Sequence, residues 1–185
     1  DTVKNIRKTT NQYYKELYDR GGIAGVVVDK PAKLCWRDMA TIKSGDDEIL
    51  KDQILMLKQV GFFNAMERAD IANRIGRFSV LFVGVPDGLD PSLPIGSASK
   101  DSFKSMYFNV YEENRIEVTK YDTDPASSRF NLPELYQLQT IGDSDSKLQG
   151  NRTARTVHFS RVIHFAEGGL SSSIEGVSSL KRPLN

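Results

Sequence analysis

The hydrophobic positions of residues 61–88 follow two different periods. Phe62, Ala65, Met66, Ala69 and Ala72 recur at helical spacing, with Asn64, Glu67, Arg68, Asp70 and Asn73 between them. This is one apolar stripe, alanine-rich enough to let a neighbouring element approach closely. Gly76 ends the predicted helix. Phe78-Ser79-Val80-Leu81-Phe82-Val83-Gly84-Val85 then runs almost unbroken in apolar residues, the pattern of a strand covered on both faces. Pro86-Asp87-Gly88 supplies a turn. A helix feeding a buried central strand is the predicted organising unit of the core.

Upstream, Tyr13, Tyr14, Leu17 and Tyr18 predict a helix over about Thr10–Arg20, closed by Gly21-Gly22. The apolar run Ile23–Val28 fits helix and strand equally. Pro31 lies just beyond it, and a residue before proline avoids helical backbone. Trp36 reads as a buried indole. Ser44-Gly45-Asp46-Asp47-Glu48 reads as a helix start, with Ser44 or Asp46 as cap and acidic residues at the positive end of the dipole. That helix runs to about Val60 with Leu50, Ile54, Leu57 and Val60 as its stripe.

Downstream, residues 86–102 read as a loop. Met106–Val110 and Arg115–Tyr121 read as strands, with Glu112-Glu113-Asn114 as the turn between them. A second turn follows at Tyr121–Pro125, and Ala126–Pro133 is irregular. Leu135–Ile141 and Thr156–Phe165 read as strands, the latter unbroken. Gly142–Asn151 reads as a polar loop, and Gly168–Gly176 as a loop or mobile connection. Helices first and strands afterwards predict an α+β fold, with N-terminal helices packed on a mixed or antiparallel β-sheet. A chain of 185 residues fits a single domain spanning 1–185.

Composition narrows the function classes. The net charge of +1 gives no global case for nucleic acid. Local balance is uneven. Residues 1–43 hold nine Lys/Arg against five Asp/Glu, residues 101–146 four against nine, and residues 147–185 six against two. Cys35 is the only cysteine, so no disulfide can form within the chain, and a reducing interior suits it. No run approaches the ~20 apolar residues of a membrane span. No signal peptide is visible, and a chain beginning at Asp1 reads as a piece of something longer.

Candidate chemistry centres on His158 and His164. Along an unbroken strand Val157, Phe159, Ile163 and Phe165 share one face, while His158, Ser160, Val162 and His164 share the other. Six residues at ~3.3 Å separate the two imidazoles by roughly 20 Å, too far for one metal ion unless the strand breaks. No metal site and no cofactor are therefore expected. His158-x-Ser160 matches half of a two-histidine phosphodiesterase motif, for which cyclic nucleotides are the candidate substrate. His164-Phe165-Ala166 does not supply the other half. No Gly-x-Ser-x-Gly, Gly-x-Gly-x-x-Gly or phosphate-cradling loop occurs. Asp122 and Asp124 read as turn formers. Asn151-Arg152-Thr153 fits a glycosylation sequon, which has meaning only in a secreted protein. Lys147, Arg152, Arg155 and Arg161, interleaved by Phe159 and Phe165, are the candidate nucleic-acid contacts. No catalytic residue is expected.

Four segments, in order, resemble one known family. They are Ile23–Asp29 with Pro31-Ala32 and Trp36-Arg37; Ala69–Gly84; Asp124-Pro125 with Pro133-Glu134-Leu135-Tyr136; and Val157–Phe165, the most specific. Together they resemble the amino-terminal half of a tailed-phage portal protein, in a branch that includes an anti-CBASS-associated portal-like family. The resemblance covers about residues 23–180. It implies a non-enzymatic wing portion of a twelvefold homo-oligomeric ring at one capsid vertex, a head-to-tail connector through which double-stranded DNA is packaged and ejected. It implies contact with capsid protein. Terminase and head-tail adaptor would be met through stem, clip and crown regions outside this chain. It implies a virion protein assembled in the host cytoplasm. His158, Ser160 and Arg161 become structural under it, Arg161 pairing with an acidic group on another element or on the neighbouring subunit.

Overall fold

The computed structural model describes residues 2–38, 41–43, 45, 50–97, 100–140, 154–169 and 172–181. The helices are α1 (Thr2–Asp19), α2 (Ile23–Trp36), α3 (Lys51–Gln59), α4 (Phe62–Ile75) and α5 (Lys100–Lys104). The strands are β1 (Ser79–Gly84), β2 (Tyr107–Glu112), β3 (Ile116–Tyr121), β4 (Pro133–Gln139), β5 (Ala154–His158) and β6 (Val162–Phe165). The fold is α+β. Its strands form two antiparallel three-stranded sheets, β2-β1-β6 and β3-β4-β5, where one sheet was expected.

The predicted helix–strand unit is α4 followed by β1, and it sits at the centre. Ala65 and Ala69 of α4 pack on Leu81, with Phe62, Met66, Phe108, Val110, Ile163 and Phe165 around them. The small side chains allow this close approach, and the Ser79 hydroxyl donates to the Ala69 carbonyl at 2.6 Å across the same gap. Val80 and Phe82 point the other way, into the second sheet, where they meet Tyr136, Leu138 and Val157. Each face of β1 is thus covered, which is why its residues need no polar alternation. At its end Gly84 leaves room for the Tyr107 ring; a Cβ there would lie 2.1 Å from the ring.

Three readings change. The Ile23–Val28 run, which fits helix and strand equally in the sequence, is helical, and α2 continues through Pro31. Val28 and Ala32, flanking it in the helix, are fully buried, and α2 packs against α4. Packing there outweighs the ~3 kcal/mol usual cost of an interior proline. The helix end is fastened by the Trp36 indole N–H, which donates to Asp70 at 3.0 Å, so Trp36 is half-buried with a polar partner.

The turn at Glu113–Arg115 is a 3-10 turn, and β2 and β3 do not pair. A tight hairpin requires left-handed residues. None of Glu113, Asn114 and Arg115 has a positive φ. The chain therefore bends and passes from the first sheet to the second. The expected strand Thr156–Phe165 breaks in the same way: the 3-10 turn Phe159–Arg161 separates β5 in one sheet from β6 in the other. Two such corners fold one sheet over the other.

The readings at Gly142–Asn151 and at Ser44 and Asp46 lie outside the described residues. Beyond Gly168 the chain is not merely a connection. The Ser178 hydroxyl contacts the Ile75 carbonyl at 2.8 Å, and Ser179 N–H donates to the Arg74 carbonyl at 2.9 Å. The last turn of α4 is thereby closed by a distant segment. Gly176 permits this: a Cβ there would lie 2.2 Å from the Glu167 carbonyl.

Leu81→Ala should destabilise the chain by roughly 2–5 kcal/mol, because it opens a cavity between α4 and the sheets. The exposed Leu55→Ala should stay within about 0.5 kcal/mol of wild type. Urea denaturation checks both.

Candidate functional site

The Val157–Phe165 segment, the most distinctive in the sequence, builds the β5–β6 corner. His158 starts the turn: Ser160 N–H donates to its Nδ1 at 3.2 Å, and the Ser160 hydroxyl lies 2.9 Å from the same nitrogen. A ring nitrogen that accepts from a backbone N–H carries no proton, so His158 is neutral with its proton on Nε2. The Ser160 oxygen also accepts from Ile95 N–H at 2.9 Å, and His158 N–H donates to the Pro91 carbonyl at 2.8 Å. The turn then sends Arg161 inward, where it is the largest fully buried side chain among the described residues.

Arg161 is 2% exposed and its counter-ion Asp87 1%. Nη2 of Arg161 donates to Asp87 Oδ2 at 2.6 Å, and Nε donates to the Leu93 carbonyl at 3.2 Å. The Asp87 carboxylate further accepts from Gly96 N–H at 2.9 Å and Leu89 N–H at 3.2 Å. The Arg161 hydrogen bond, then that of Gly96, holds the Asp87 carboxyl down to about 2. Loop 87–96 is thus closed on itself by one carboxylate and pinned to the corner by one guanidinium. The acid expected for Arg161 belongs to this same chain. Sequence reading took Asp87 only for a turn former, and with Asp90 in the same loop nothing local singles it out.

His164 lies elsewhere, across β1 from Val80. Its Nε2 donates to the Ile174 carbonyl at 2.8 Å, and its Nδ1 faces the Tyr136 hydroxyl at 3.3 Å. Burial pushes the Tyr136 phenol up to about 12, so that hydroxyl remains a donor. The imidazole stacks on Phe78 with ring centroids 5.2 Å apart. The strand does break between the histidines, so the straight-strand separation does not apply, yet the two rings keep separate partners in separate sheets. The half motif His158-x-Ser160 holds a turn together and offers no second histidine across a substrate. Among the described residues no group of three or more His, Cys, Asp or Glu could hold a metal ion.

The other candidates disperse. Cys35 is exposed on α2. Asp122 and Asp124 act as turn formers: Asp122 accepts from Asp124 N–H at 3.0 Å, and Asp124 from Ala126 N–H at 2.9 Å. Arg155 is exposed on β5, but Arg161 is unreachable by a phosphate. Lys147, Asn151 and Arg152 lie outside the described residues. A cleft of about 480 Å³ opens beside β3, lined in part by Phe78, Val118, Tyr121 and Ile174. Its one basic group, Arg77, is engaged by Glu113 at 2.8 Å and Glu175 at 2.7 Å. No described helix is long and apolar enough to cross a membrane.

Arg161→Met strands a buried carboxylate. It should lower Tm by on the order of 10 °C, and Asp87→Leu/Arg161→Met should recover most of the loss, because removing both charges removes the penalty. Thermal unfolding of the three proteins checks this. Burial is the first cause that lowers both His158 and His164 below the ordinary 6.5. The unfolded chain therefore binds more protons than the folded one between the lowered values and 6.5. Stability from this source is complete above about pH 6.5 and is lost as pH falls below it. The urea midpoint should accordingly drop between pH 7.5 and pH 5.5.

A family model described as phage portal protein matches residues 12–185. No curated protein matches the sequence. The matched span takes in the α4–β1 unit, both sheets and the pinned corner, and on that match the chain belongs to the phage portal protein family.

Proposed function

We propose that residues 1–185 form one wing domain in the wall of a portal ring, the homo-oligomeric connector at a capsid vertex through which double-stranded DNA is packaged and ejected. Membership of the family makes the chain a structural component of a phage portal. The observation that carries the finer reading is the fate of the chemically capable side chains. His158, Ser160, Arg161, Asp87 and His164 are all engaged in holding the chain to itself. Such a unit bears load and presents surfaces, as a ring wall must.

The ring is taken to be twelvefold, assembled in the host cytoplasm and carried in the virion. Capsid protein is met by its outer surface. Terminase and head-tail adaptor are met through regions outside these residues. A closed ring needs two different complementary patches per copy, joined head to tail. The acidic segment 101–146 of one copy against a basic segment of the next supplies the charge for such a joint.

Negative-stain images of the full-length protein should show closed rings that weaken as salt screens the joint. Monomers at every salt concentration would contradict the proposal.

A further inference from the structure

We infer that the outward face of α2 is the seat for the β3–β4 loop of a second copy of this chain. This deepens the ring reading and rests on it.

The face is apolar where solvent should favour polar groups. Ile23 is 80% exposed, Val26 58% and Leu34 56%. The opposite side of α2 carries Val28 and Ala32, fully buried against the rest of the protein. Both sides of this helix are therefore built for contact, and among the described residues only the inner one has a partner within the chain. Lys30 stands on this same face, one turn from both Val26 and Leu34, with Lys33 and Arg37 beside it. Lys33 pairs with Asp29 at 2.9 Å and Arg37 with Asp38 at 3.1 Å. Among the described residues Lys30 has no acid paired with it, so the face carries a net positive charge.

The β3–β4 loop has the complementary character. Tyr121 and Phe130 are nearly half exposed, and Asp122 and Asp124 stand between them in sequence. The nearby Lys120 is paired with Glu134 at 2.7 Å. Arg129 is turned inward, its guanidinium 3.6 Å over the Phe159 ring and donating to the Pro133 carbonyl at 3.0 Å. The two aspartates therefore leave this tip negative. It is also pre-organised: Asn131 adopts φ 62, and Asn131 N–H donates to the Asp122 carbonyl at 2.8 Å. A tip already ordered loses little freedom on docking, and its exposed aromatics suit an apolar seat.

Position decides the occupant. α2 packs outside α4, α4 packs on the β2-β1-β6 sheet, and the β3-β4-β5 sheet covers that sheet's far side. The seat and the loop thus belong to opposite outermost layers, three layer spacings of roughly 10 Å apart. They cannot meet within one chain. Between copies they meet head to tail, the arrangement that closes a ring.

The test uses the full-length protein and its exposed Cys35 beside Leu34 on α2. Ser128 lies exposed in the β3–β4 loop. The Ser128→Cys variant, treated with a short-spacer bismaleimide, should give a ladder of covalent multimers on denaturing gels. Wild type should give at most dimers, as should Cys35→Ser/Ser128→Cys. Ile23→Asp/Val26→Asp, with wild-type Tm because both residues are exposed, should cut the ring fraction by on the order of tenfold or more. Wild-type rings without the ladder, or rings that survive Ile23→Asp/Val26→Asp, would overturn this seat and leave the ring reading intact, with capsid protein the next occupant to try. Absence of wild-type rings would overturn the ring reading itself.

Discussion

A guanidinium at 2% exposure needs a counter-charge, and Asp87 is the one that Arg161 has. The position of that pair decides much of the architecture. Arg161 ends the turn that carries the chain from β5 into β6, from one sheet to the other. Asp87 follows β1, the strand that both sheets pack around. One ion pair therefore ties the end of the central strand to the corner that folds the second sheet over it. The bonds to Leu93, Gly96 and Leu89 extend the tie into the 87–96 loop, and Ser160 and the His158 backbone add two more anchors. An ionic pair has an advantage here over an apolar contact of equal size. Its geometry is directional, so it fixes the angle of the corner as well as its closeness.

Around that tie the layers follow from ordinary packing. Alternate residues of β1 serve different neighbours: Leu81 faces the alanines of α4, while Val80 and Phe82 face Tyr136, Leu138 and Val157. The helix is held again at its far end, where Ser178 and Ser179 meet the carbonyls of its last turn. Polar groups that sequence reading could take for chemistry close the seams between these layers. His164 does so between Tyr136 and Ile174.

The α4–β1 unit was legible because its two periods are long and uniform. So were β4 and the loop around Asp122 and Asp124, whose side chains bond their own backbone as turn formers do. What was not legible depends on distant partners. Pro31 looks like a helix breaker until Val28 and Ala32 are seen buried on either side of it. Thr156–Phe165 looks like one strand because a 3-10 corner of three residues leaves the alternation of apolar positions almost undisturbed. Glu113–Arg115 looks like a hairpin turn because local sequence does not reveal that its strands lie in different sheets. At the corner the sequence offered His158, Ser160 and Arg161, and the family resemblance read them as structural. Asp87 was hidden because 74 residues separate it from Arg161, and nothing local to it asks for a cation.

Amide hydrogen exchange over residues 86–97 tests the corner most directly. The loop has no helix or strand of its own, and the N–H groups of Leu89, Ile95 and Gly96 bond to its anchors Asp87 and Ser160, so protection at those three must come from them. Slowed exchange at Leu89, Ile95 and Gly96, lost in Arg161→Met, is the result this account predicts. Exchange at the rate of an unstructured chain in the wild-type protein would contradict it.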